Sequence, residues 1–176
     1  NGFLGQTFAQ SFPLSVTITL TFEQSYGGID GDSASSTEIY VILSALSRIP
    51  IKQGIAVTGS VNQWGEIQAI GGVNEKIEGF FHLCKLRGLT GEQGVIIPSA
   101  NVDHLMILPD IQAAVKAGKF NIWSVDTISE GIEILTGEKA GTLNRHGNFP
   151  ARTVFGEAQS QLKKYFAKGQ NLNKQN

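Results

Sequence analysis

At 176 residues, with 41% hydrophobic and 16% charged side chains, the chain is long enough to bury one sizeable core and is light in ionic surface. With 14 Lys and Arg against 15 Asp and Glu, the formal charge is -1, which gives a nucleic-acid partner no electrostatic support. No apolar run reaches the roughly 18 residues of a membrane span, and no charged-then-apolar leader opens the chain.

The single cysteine, Cys84, excludes an internal disulfide and fits a reducing compartment, here the cytoplasm. The first residue is Asn1 rather than Met, as expected of a piece of a longer protein.

Residues 1–12 show no clear period and suit an arm or the start of a strand. From Ser15 to Glu23 the pattern alternates strictly. Val16, Ile18, Leu20 and Phe22 face one way and Thr17, Thr19 and Thr21 the other, which predicts a half-buried strand. A Gly/Asp-rich loop fills 24–32.

A helix is predicted from Ser35 to Arg48, with Ile39, Ile42, Leu43, Leu46 and Ile49 as its apolar stripe. Ser35, Ser36 and Thr37 are its candidate caps, Glu38 suits its first turn, and Pro50 stops it. Strands over 54–61 and 65–70 follow, joined by Asn62-Gln63-Trp64 as a hairpin loop.

After Gly71-Gly72 a helix is expected from Asn74 to Leu86, with Ile77, Phe80, Phe81 and Cys84 on its apolar face and Gly88 ending it. Gly94–Pro98 reads as a short buried strand, Pro109–Ala117 as a helix and Asn121–Val125 as a strand. Thr127 and Glu130 form a capping-box pattern that opens a helix to Leu135.

The core domain is placed at 1–137. Residues 138–176 then form a polar linker and an amphipathic C-terminal helix over 153–167, with Phe155, Leu162 and Phe166. The tail from Gly169 is expected to be too polar to pack, and disordered. Strands and helices mix without regular β-α alternation, so the fold class is α+β.

The chemistry concentrates at Gly31-Asp32-Ser33-Ala34-Ser35. Ser33 stands between a predicted strand and a helix start, where first-turn N–H groups can steady an oxyanion. Taken alone, it also suits a plain helix cap. A serine hydroxyl needs a base. His82 lies in a helix, His104 in a loop and His146 in the polar linker, so none is an obvious partner; a Ser-His hydrolase would need His104 or His146 close to Ser33.

The Gly-x-Ser-x-Gly elbow is missed because its last position is Ser35. The other base is lysine, which works only where burial penalises the ammonium. Lys76 stands one turn into a helix, beside Ile70, Val73 and Ile77 in sequence. By itself it reads better as a solvated first-turn lysine. Neither a P-loop nor a zinc-ligand spacing is present, and the start of a calcium loop at Asp30 and Asp32 fails at Ala34.

Asp30-Gly31-Asp32-Ser33-Ala34-Ser35 resembles the nucleophile motif of Lon proteases, and Gly71-Gly72-Val73-Asn74-Glu75-Lys76 resembles that family's lysine motif. Between them, Ala56-Val57-Thr58-Gly59-Ser60 with Gly65-Glu66-Ile67 and Ile70 is similar to the hairpin that precedes the lysine. Val95-Ile96-Ile97-Pro98 with Asn101 looks like the later strand and turn. The likeness runs from about Pro13 to Gly137.

The resemblance implies the ribosomal S5 domain 2-like architecture. It also implies a Ser–Lys dyad of Ser33 as nucleophile and Lys76 as general base, with Thr58 orienting the lysine amine. Many members have Pro at Asp32 and Gly at Ser35, so the Asp-Ser-Ala-Ser form is similar to the archaeal and B-type subgroup and its bacterial relatives. Asp32, beside the nucleophile, would pair with Lys76 at rest and hold it protonated.

The family further implies an ATP-dependent serine endopeptidase acting on unfolded polypeptides. It implies a hexameric ring and an AAA+ module elsewhere in the parent chain, which would hold ATP and magnesium. A degenerate relative would be an inactive ring-forming module.

Overall fold

In the computed structural model the described residues are 2–21 and 31–173. Three short parallel strands form the main sheet in the order β1-β4-β5: β1 Ile55–Val57, β4 Gly94–Pro98 and β5 Asn121–Val125. Pairing runs from Ile55 opposite Gly94 to Val57 opposite Ile96, and from Gly94 opposite Asn121 to Pro98 opposite Val125. A central parallel strand is covered on both faces and therefore reads as one apolar run. Accordingly, β4 is buried throughout.

The alternation of β4 divides the interior. Val95 and Ile97 point to a core built by helix α3 (Val73–Arg87) and helix α4 (Pro109–Lys116), with Ile77, Phe81, Ile111 and Phe120. Ile96 points to the other core, built by α2 (Ser35–Ser47), α5 (Ile128–Thr136), α6 (Val154–Asn173) and α1 (Gly2–Phe8). The mixed helices and strands make one compact α+β domain.

Most elements follow their predicted patterns. Val73, Ile77, Phe81 and Cys84 recur at helical spacing and bury one face of α3, which ends at Gly88. Thr127 and Glu130 form the full capping box of α5. In α2, Tyr40 is buried with its hydroxyl against Gly131 of α5. Burial, with the Glu130 carboxylate nearby, pushes the Tyr40 hydroxyl far above the usual phenol range.

Four expectations change. The segment 54–61 is not one strand. It leaves the main sheet after Val57 and re-forms as β2 (Ser60–Val61), which pairs antiparallel with β3 (Ile67–Gln68). Thr58 still bonds the sheet through its N–H to the Ile96 carbonyl, but Gly59 N–H turns to the Ser33 carbonyl at 2.8 Å. Residues 15–21 are not in a strand, and 22–23 of that prediction lie outside the described residues. Val16 packs against the core as the alternation implies, whereas Ile18 is exposed, and alternation says nothing about a ladder partner.

Residues 2–8, without a legible period, form α1, held by buried Phe3, Leu4 and Phe8. Helix α6 runs to Asn173, past the predicted end at 167; Ala167, Lys168 and Gln170 are good helix formers whose exposed side chains need no packing. Of the tail predicted to be disordered, 174–176 lie outside the described residues.

Candidate active site

Three elements converge at the C-terminal end of β1. The turn of residues 31–34, which opens with Gly31 at φ +81°, leads into α2 and presents Ser33. Thr58 follows β1 directly. Lys76 comes from the first turn of α3, which starts at Gly72 in the left-handed conformation, φ +68°. The chain before it is clamped by buried Asn101, whose amide accepts from Ile70 N–H at 3.0 Å and donates to the Ile70 carbonyl at 2.9 Å.

Lys76 Nζ lies 3.0 Å from Ser33 Oγ and 3.2 Å from Thr58 Oγ1. Thr58 Oγ1 in turn donates to the Ser33 carbonyl at 3.3 Å. These residues share a groove of about 250 Å³ with Ala34, Ala56, Val57 and Val95. An amine, two hydroxyls and an otherwise apolar lining are what a proton transfer between Ser33 and Lys76 would require.

Lys76 is exposed, as the solvated first-turn reading has it, and its apolar sequence neighbours do not bury it. Successive helical residues point about 100° apart. Val73 and Ile77 therefore turn their side chains into the core without covering Lys76.

Asp32 is placed differently from expectation. Its Oδ2 accepts from Ser60 Oγ at 2.6 Å, and among the described residues it forms no ion pair with Lys76. The first helical turn also differs. Ser35 N–H donates to the Asp32 carbonyl at 2.9 Å and Ser36 N–H to the Gly59 carbonyl at 3.2 Å, so both amides are engaged. Ser35 does not cap its own helix; its Oγ accepts from Val61 N–H at 3.1 Å.

His82, His104 and His146 are all exposed, and none is hydrogen-bonded to Ser33 among the described residues. No group of three or more His, Cys, Asp or Glu there is arranged to hold a metal ion. Sequence reasoning missed Ser60. The only signal was its place in a matched motif, and its partner is distant in the chain.

Residues 21–137 match the family model of the Lon protease (S16) C-terminal proteolytic domain. The chain belongs to the Lon protease family. It is 53% identical over 126 residues to a Lon protease homolog of Escherichia coli K12, covering 72% of this chain and 21% of that protein. It is 44% identical over 164 residues to a Lon protease homolog of Haemophilus influenzae, covering 87% and 27%.

The archaeal Lon protease of Thermococcus kodakarensis is 40% identical over 117 residues, 66% of this chain and 16% of that protein. The chain thus spans about a quarter or less of the length of these Lon relatives. Among the described residues no helix is long and apolar enough to cross a membrane.

Proposed function

We propose that this Lon proteolytic domain is a serine endopeptidase in which Ser33 is the nucleophile and Lys76 the general base. The observation that carries the reading is the 3.0 Å separation of Lys76 Nζ and Ser33 Oγ. Neutral Lys76 takes the hydroxyl proton as Ser33 Oγ attacks a peptide carbonyl. The resulting ammonium protonates the leaving amine, and water, activated by the same amine, resolves the acyl-enzyme and restores Ser33.

The Ser35 and Ser36 amides are engaged, so the oxyanion role passes to the N–H groups of Ser33 and Ala34. Thr58 orients the amine. Thr58→Val keeps the shape and removes the hydroxyl; cleavage is expected to fall about tenfold, the worth of one hydrogen bond to a charged or basic group. A Thr58→Val chain as fast as the parent would remove Thr58 from the site.

The substrates are unfolded polypeptides, and the site works inside a hexameric ring in the cytoplasm. Energy comes from ATP and magnesium bound by an AAA+ module of the parent protein, outside these residues. Enclosure by neighbouring copies suits an exposed lysine, because excluding water strengthens every polar contact of the site. The test is cleavage of a quenched fluorescent peptide between about pH 7 and 9, where a titrating amine gains activity as it loses its proton. The parent chain is expected to cleave and Ser33→Ala to be inert. Equal cleavage by the two would place the nucleophile elsewhere.

A further inference from the structure

The dyad step makes no use of the bond between Ser60 and Asp32, yet that bond is among the best-made side-chain contacts around the nucleophile. Ser60 is only 5% exposed, and its hydroxyl lies 2.6 Å from Asp32 Oδ2, within the short range of charge-assisted O–H···O contacts. The surrounding backbone fixes both partners. Gly59 N–H holds the Ser33 carbonyl at 2.8 Å, and Val61 N–H holds Ser35 Oγ at 3.1 Å, so β2 is fastened to the nucleophile turn on both sides of Ser60.

Asp32 adjoins Ser33, and consecutive Cα atoms are only ~3.8 Å apart. A carboxylate released from Ser60 would be free to turn toward the amine that contacts Ser33 Oγ. An opposite charge at about 4–6 Å favours the ammonium and works against a lysine base.

We propose that Ser60 is a positioning residue for the Ser33–Lys76 dyad: its hydroxyl anchors the Asp32 carboxylate on β2 and so keeps that charge off Lys76. The inference rests on the dyad reading above. The other groups around the amine do not supply the same charge. Strands β1 and β4 line the groove with Ala56, Val57 and Val95. On α3 itself, Glu75 and Glu78 are one and two residues from Lys76 and do not share its face. Among the described residues of the turn, Asp32 is the carboxylate that can engage.

The test follows the ε-carbon of Lys76 by NMR through a pH titration of the whole chain, with the signal assigned by its loss in Lys76→Arg. Ser60→Ala is expected to raise the Lys76 midpoint by about one pH unit, as a new carboxylate neighbour does. The double variant Ser60→Ala/Asp32→Asn is expected to restore the parent midpoint, because the amide carries no charge. A hydroxyl that served packing alone would leave the titration in place, and that outcome overturns the proposal. So does a midpoint that stays raised in the double variant.

If Ser60→Ala does not fold, Asp32→Glu at the exposed position lengthens the carboxylate past its fit to Ser60 and carries the same expectation. An unchanged midpoint there is equally fatal. The titration does not depend on turnover, so the two readings fail separately. Cleavage surviving Ser33→Ala sinks the dyad, whereas an unmoved midpoint sinks the anchor.

Discussion

The chain carrying both Ser33→Ala and Lys76→Ala is expected to cleave peptides no more slowly than either single variant. Each single change should lower kcat/KM by at least about 10⁴-fold, the scale seen when a nucleophile or its base is removed from a unit that acts together. The reason is geometric. Lys76 Nζ reaches Ser33 Oγ at 3.0 Å, and among the described residues its other hydrogen-bond partner is Thr58 Oγ1, so the amine has no task once the hydroxyl is gone.

Lys76→Arg sharpens the expectation. A guanidinium keeps its proton throughout the accessible pH range and cannot accept one from serine, so arginine should be as damaging as alanine although the positive charge is retained. Steady-state kinetics on the four chains and the arginine variant decide the matter. Losses that add in the double variant, or an arginine chain with substantial activity, would mean that Lys76 acts by charge or packing and not as the base.

What the sequence disclosed about this site depended on which interactions are local. The capping box of α5 and the stripe of α3 are written within a few residues, and both were legible. The pairing of Ser33 with Lys76 spans 43 positions; no periodicity encodes it, and it was readable only through the likeness of linked motifs. Thr58 came by the same route.

Ser60 and Asp32 are separated by 28 positions, and nothing marks them as partners until the chain leaves the sheet after Val57 and folds back on the nucleophile turn. Lys76 is exposed, as a solvated first-turn lysine would be, because sequence adjacency to apolar residues on a helix means a different direction in space. The alternation at 15–21 gave the correct half-burial for Val16 but not for Ile18, which is exposed, and it did not give a strand, since pairing depends on a partner the segment itself does not specify.

The aromatic residues that pack behind α2 lie outside the segment matched to the family, and they set the second large effect. Phe155 of α6 is buried, with its ring centroid 6.5 Å from Phe3, 5.4 Å from Phe8 and 5.3 Å from Phe149, all near edge-to-face. Phe12 and Phe166 extend the contact at 5.9 Å. Each of these residues belongs to 2–20 or 138–173, whereas the matched segment is 21–137.

Val154, Ala158 and Leu162 of α6 nevertheless share one core with Tyr40, Leu43 and Leu46 of α2, the helix that begins at the nucleophile turn. Phe155→Ala should therefore destabilise the chain by about 3–5 kcal/mol through lost transfer and a residual cavity. For a domain of this size that lowers Tm on the order of 10 °C. Thermal unfolding followed by circular dichroism measures it. A shift of a degree or two would mean that α1 and α6 rest against the domain without stabilising it. A large shift in a single transition would mean that the flanking segments and the proteolytic core fold as one unit, with the support of Ser33 running through α2 to residues beyond the family boundary.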